Sequence, residues 1–242
     1  MDASVRQLAK STQQEVTIDK RILEMVDVLE GGTQLAYGFF QSDGYDLSYG
    51  RGGTNVQSGT LYSLIQRYCA APQALQANEL QNYLYRLQQK DSALASDPAF
   101  QTALQKASSD PIMRQLQDDL FKKIIWTPAV QKIHELGLKL PLSFAIVYDT
   151  IIGHGMSEAS SVARKTSATV GGMPISGTDE KLWIATYLGG RLELYCAMVA
   201  QNPKLYPFLR GWTRRVEAWQ NFLAGNNWDL APPVQFAGQT IE

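Results

Sequence analysis

The chain has 242 residues, 45% of them hydrophobic and 19% charged, with a formal net charge of -1. That length suits one large domain or two small lobes. The balance excludes the basic surplus that would steer a protein onto nucleic acid or an anionic membrane, and no stretch approaches the roughly 20 apolar residues of a membrane span. Cys69 and Cys196 stand far apart in apolar helical stretches and read as buried free thiols rather than a disulfide. His134 and His154 have no zinc spacing with either cysteine, and no phosphate loop is present, so no metal and no cofactor are expected.

In chain order, residues 1–16 are polar and predict a frayed helix or arm, ahead of a folded domain over 17–242. Their stretch MDASVRQLAKSTQQEV has no apolar core of the signal-peptide kind. Thr17 or Asp19 can cap a helix over 19–30, where Ile22, Met25, Val26 and Leu29 fall at helical spacing. Gly31-Gly32 ends it. The segment from Leu35 to Thr54 is rich in glycine and aromatic residues and lacks a helical period, which predicts a twisted hairpin or small sheet. Helices are expected over 58–70, 76–90, 98–107, 111–125 and 127–136; Asp97-Pro98, Asp110-Pro111 and Thr127-Pro128 mark three of the starts. The run over 140–155 is apolar all round and reads as a central buried helix. A loop with Gly171, Gly172 and Gly177 leads to a long helix over 178–201, and a last helix spans 205–225. A proline-rich tail, NNWDLAPPVQF, straps the end. The fold class is α+β, mainly α, with two lobes and a small β element beside a cleft.

Two carboxyl groups on opposite sides of a cleft are the minimal equipment for cutting a glycosidic bond. Glu30 sits at a helix C-terminus, where the dipole disfavours the ionised form and partial burial pushes the same way; both suit a general acid. The hairpin offers Asp43 and Asp46 in SDGYDLSYG as the opposing base, with Ser48 able to orient a water. For either aspartate a turn-forming role is the alternative. Asp149 lies inside the apolar helix, and a buried carboxylate needs a partner; Arg191 and Arg215 are available. His154, between two glycines at a helix end, reads first as a structural histidine.

These residues resemble family 46 chitosanases of the lysozyme-like superfamily. The resemblance rests on WTPAVQKIHELGL, FAIVYDTIIGHG, GTDEKLWIATYLGGRLELYCAM, RRVEAWQNFL and NNWDLAPPVQF in that order, over roughly residues 19–238. DGYDLSYG also looks like the DGxGLSFG segment of related bacterial lysozyme-like domains. The resemblance implies a lysozyme-like two-lobed fold, Glu30 as general acid, Asp43 as general base with Ser48 as the water-positioning hydroxyl, and Asp46 as the fallback base. It also implies an Asp149–Arg191–Arg215 relay behind the acid, and inversion at the anomeric carbon.

One departure directs the substrate expectation. Such chitosanases hold the substrate ammonium with an acidic residue just after an SGTG segment, whereas this chain reads SGTLYSL, with Leu61 and Tyr62 there. The expectation is therefore a muramidase acting on peptidoglycan glycan strands, as a cell-wall-degrading toxin or lysin domain of a larger exported protein. It would act at the wall or periplasm of a target cell and could meet a cognate immunity protein. A true chitosanase is the first alternative and a non-catalytic wall-binding domain the second. Tyr45, Tyr49, Tyr62, Trp126 and His154 are candidate substrate contacts, with core packing the alternative for the aromatics.

Overall fold

In the computed structural model, which describes residues 18–32 and 35–242, the chain is mainly helical with two small antiparallel β elements. It divides into two compact units, one of residues 30–128 and one of the helix before Glu30 together with residues 129–242. The expected arm and the Thr17 cap lie outside the described residues.

The 30–128 unit opens with three strands: β1 (Phe40–Ser42), β2 (Leu47–Tyr49) and β3 (Thr54–Asn55). They pair antiparallel in the order β1-β2-β3, with Phe40 opposite Tyr49 and Ser48 opposite both Gln41 and Asn55. Alternation along β2 buries Leu47 and Tyr49 and turns Ser48 to the other face. Helix α2 (Thr60–Ala70) sets Leu61, Leu64, Ile65 and Tyr68 into the same core. The stretch expected as one helix over 76–90 is broken into α3 (Ala77–Gln81) and α4 (Leu84–Gln88). Helices α5 (Pro98–Ala107) and α6 (Pro111–Phe121) begin at the two Asp-Pro pairs, where Asp97 Oδ1 accepts from the amides of Ala99 and Phe100 and Asp110 Oδ1 from that of Ile112. The chain widens into a π-helical turn at Lys122–Trp126, so α6 stops short of the expected 125.

In the other unit, α1 (residues 18–29) buries Ile22, Met25 and Val26. Helices α7 (Thr127–Glu135) and α8 (Pro141–His154) follow, and α8 is the central buried helix that its apolar run predicts. Helix α9 (Met156–Val170) was not expected. It packs on α10 (Glu180–Gln201), which also packs against α11 (Tyr206–Ala224). A Cβ on Gly190 would meet Val162 Cγ1 at 3.1 Å, so glycine there permits the close α9–α10 approach. The tail forms a hairpin, β4 (Val234–Phe236) with β5 (Gln239–Ile241), whose Phe236 packs against Trp219 with ring centres 4.4 Å apart. Both thiols are free, but Cys69 is half-buried and Cys196 exposed, so the expected burial does not hold for Cys196.

Candidate active site

Helix α1 ends at residue 29, which leaves Glu30 in the turn that follows, half-buried, rather than in the helix itself. Gly31 and Gly32 then both take the left-handed conformation, with φ of +71° and +77°, which glycine adopts at little steric cost.

Asp43 lies in the 30–128 unit with Glu30, at the exposed tip between β1 and β2. Its Oδ1 accepts from the amides of Asp46 at 2.8 Å and Tyr45 at 2.9 Å. These amides, that of Asp46 foremost, hold the Asp43 carboxyl below the ordinary carboxylate range, so it stands as the anion at neutral pH. Both bonds use one oxygen, so the other takes no part in the turn. Asp46 is employed differently. Its Oδ1 accepts from the amides of Leu47 at 2.8 Å, Val56 at 3.0 Å and Gln57 at 3.2 Å, stapling the hairpin to the segment before α2. All three bonds use Oδ1, as in Asp43; what distinguishes Asp46 is that it is half-buried and braces a second segment, whereas Asp43 is exposed and bonded only within its own turn.

The far end of the hairpin is locked onto α6 by residues the sequence did not point to. Gln117 is fully buried; its Oε1 accepts from Arg51 N at 2.8 Å and its amide donates to Tyr37 O at 3.2 Å. A Cβ on Gly50, at φ +69°, would fall 2.4 Å from Gln117 Oε1. Asp118 accepts from Tyr37 Oη at 3.0 Å and pairs with Arg51 Nη1 at 2.6 Å, while the Arg51 guanidinium sits 4.6 Å from the Phe121 ring centre. The available signal was YGRGGT, where closely spaced glycines imply positive φ or a close approach.

In the other unit, Asp149 and Arg191 are both completely buried. Asp149 Oδ2 pairs with Arg191 Nη1 at 2.9 Å, and its Oδ1 receives Arg215 through Nη2 and Nε, both at 2.7 Å. Burial pushes the Asp149 carboxyl up, but Arg191 and then Arg215 outweigh it and hold it below the ordinary range. The remaining face of the Arg191 guanidinium donates to Tyr195 Oη, through Nη2 at 2.9 Å and Nε at 3.1 Å. Tyr195 is four residues on along the same helix, a spacing visible in the sequence though not read from it. His154 closes the cluster, its ring centre 4.6 Å from Tyr195 and 5.2 Å from Trp212. Burial, then Arg191 and Arg215, depress the His154 pKa to about 4, so the ring is neutral at neutral pH.

The aromatic candidates separate. Tyr45 is 65% exposed at the hairpin tip. Tyr49 is a core residue with no exposed surface, its hydroxyl donating to Leu104 O at 2.8 Å, so its place is packing rather than sugar contact. Tyr62 is half-buried, and its hydroxyl accepts from Gln66 Nε2 at 3.1 Å. Trp126 is half-buried in the π-helical turn. Among the described residues no group of three or more metal-ligating side chains comes together.

The model of glycosyl hydrolase family 46 matches residues 26–234. The chain belongs to this family. Members are glycosidases, and this chain is therefore a glycoside hydrolase. It is 26% identical over 229 residues to a chitosanase of Bacillus subtilis, covering 89% of this chain and 80% of that protein. It is 28% identical over 205 residues to a chitosanase of a Streptomyces species, covering 79% and 69%. Among solved structures, a family 46 chitosanase of Gynuella sunshinyii in complex with chitotetraose is 29% identical, with a TM-score of 0.72 over 95% of this chain and 96% of that one. A Bacillus subtilis chitosanase mutant complexed with 6 GlcN is 25% identical, with a TM-score of 0.73 over 93% and 95%.

The family 46 relatives overturn the muramidase expectation. Every one of these relatives is a chitosanase, so peptidoglycan as substrate loses its support, and the toxin or lysin role with it. That expectation turned on one absent carboxylate after SGT and on aromatics that also serve the core, as Tyr49 does. Neither is a positive mark of an acetylated sugar.

Proposed function

We propose that this family 46 hydrolase is a chitosanase, cleaving β-1,4 bonds between glucosamine units of chitosan. One observation carries the reading: the curated relatives it matches along most of their length are chitosanases. In this mechanism Glu30, in its neutral form, gives its proton to the leaving glycosidic oxygen as the bond from that oxygen to the anomeric carbon breaks. Asp43, as the anion, takes a proton from a water whose oxygen bonds to the anomeric carbon, and Ser48 orients that water. Attack from the face opposite the leaving group inverts the anomeric centre. The ionised Asp43, exposed at the tip of the hairpin where Asp46 is half-buried, suits the base. Asp149, Arg191 and Arg215 serve as the supporting ion network.

The test is reducing-end release from chitosan and from purified peptidoglycan, with Glu30→Gln and Asp43→Asn beside the wild type. Release from chitosan is expected, with each variant slower by roughly 100-fold or more, and proton NMR of early products should show the inverted anomer. No release from chitosan by the wild type, or near-normal release by Glu30→Gln, would refute the assignment.

A further inference from the structure

An open cavity lies among α7, α9 and the turn after Met173. The chain reverses at Gly137, with φ +79°, where a Cβ would fall 2.3 Å from Ile175 N. Only glycine lets the 174–176 turn close against the end of α7, and Ile175 N donates to Leu136 O at 3.0 Å. On the other wall, Ser167 Oγ accepts from Trp183 Nε1 at 3.0 Å and donates to Ala163 O at 2.9 Å. These contacts fix the walls of a cavity of about 600 Å³, a volume typical of small-molecule sites.

Its lining has one sign of charge. Leu136 and Met173 give apolar surface, Ser160 and Ser176 bring hydroxyls, and the charged residues are Lys132 and Arg164. No carboxylate lines it, although the chain as a whole is slightly acidic. Apolar walls around two like charges concentrate their field on the space between. Lys132 has a contact with Glu135 at 3.5 Å, but a solvent-exposed pair contributes at most about 1 kcal/mol and does not compete strongly with a ligand. None of these residues belongs to the Glu30, Asp43 or Asp149 groups. An ammonium-bearing sugar polymer is repelled by this lining, so the ligand is a different molecule from the proposed substrate.

We propose that the cavity binds a small organic anion, its carboxylate or phosphate group engaged by Lys132 and Arg164 and its apolar part laid on Leu136 and Met173. Isothermal titration of the full chain with hexyl phosphate, hexanoate and hexan-1-ol tests this with one alkyl tail and three head groups. One or both anions should bind with unit stoichiometry, weaken as salt is raised, and outcompete the alcohol. Binding of only one anion identifies the head group. Lys132→Gln and Arg164→Gln should each weaken binding about tenfold. Both side chains reach solvent, so the variants should keep the wild-type melting temperature and the wild-type rate on chitosan. The proposal is overturned by equal affinity for hexan-1-ol, by no binding of either anion at about 10 mM, or by unchanged affinity in both variants. Binding is read without a catalytic assay, so a failure of the chitosanase reading leaves this result interpretable on its own.

Discussion

Replacing Asp149 by Asn tests how the buried ion cluster is held. The substitution keeps size and hydrogen-bonding atoms but removes the one charge that faces both Arg191, at 2.9 Å, and Arg215, at 2.7 Å. Asp149 and Arg191 have no exposed surface, so the change leaves the Arg191 guanidinium buried beside a neutral partner. Removing one member of a buried pair typically costs about 3–5 kcal/mol. For a chain of this size each kcal/mol lowers the melting temperature by roughly 2–4 °C, so a fall of about 6–20 °C is expected. The comparison is Asp149→Leu combined with Arg191→Met and Arg215→Met, which removes the charges together and should lie much closer to the wild type. The pH dependence has a definite sign. The folded Asp149 carboxyl lies below its ordinary value, so its stabilisation is complete above the unfolded pKa and is lost as pH falls through the folded one. Wild type and Asp149→Asn should therefore converge in strong acid. Chemical denaturation at neutral and acid pH reads both effects, and an Asp149→Asn chain within about 1 kcal/mol of wild type at pH 7 would refute the reasoning.

Other perturbations follow from the same geometry. The folded His154 pKa of about 4 is below the ordinary 6.5, so the unfolded chain takes up the proton first and stability falls as pH drops from about 6.5 to about 4. Discounted for its partial exposure, that loss is about 1–2 kcal/mol, and His154→Gln should abolish it when unfolding midpoints at pH 7 and pH 4.5 are compared. Gly50→Ala meets both a positive φ and Gln117 at 2.4 Å, whereas Gly53→Ala meets positive φ with nothing within 4 Å. The second should cost about 1–2 kcal/mol and the first clearly more, read as urea midpoints. Tyr62→Asp places a carboxylate in the SGTLYSL segment, where the sequence resemblance leads to the expectation of an acidic residue for the substrate ammonium. It should raise kcat/KM on fully deacetylated chitosan, and an unchanged or lower value would show that another group serves there.

Local signals were the ones that sequence carried best. Asp97-Pro98 and Asp110-Pro111 announce α5 and α6 because cap and proline act within one turn. Asp149 was legible because a carboxylate in an all-apolar helix has to find cations, and α10 and α11 offered them. Helix α9 was not, since its buried side is only Ala159, Val162, Ala163 and Thr166, small residues that matter because Gly190 lets α10 approach. The β4–β5 hairpin was missed because it turns at Ala237-Gly238 rather than at an Asn-Gly or Asp-Gly pair. In the site, Asp43 and Asp46 look alike in SDGYDLSYG, and only the amides of Val56 and Gln57 set them apart. Substrate was misread because the identity of a sugar does not follow from one missing charge.

The two pins of the hairpin tip have an evolutionary consequence. Ser42 Oγ holds one leg to Ala95 O at 2.7 Å, and Asp46 holds the other to the amides of Val56 and Gln57. Between them lie only Asp43, Gly44 and Tyr45, all exposed. That makes the tip a three-residue cassette. Lineages can rewrite Tyr45, or the reach of the tip, without repacking a single core side chain, so the tip can diversify ahead of any change in the scaffold.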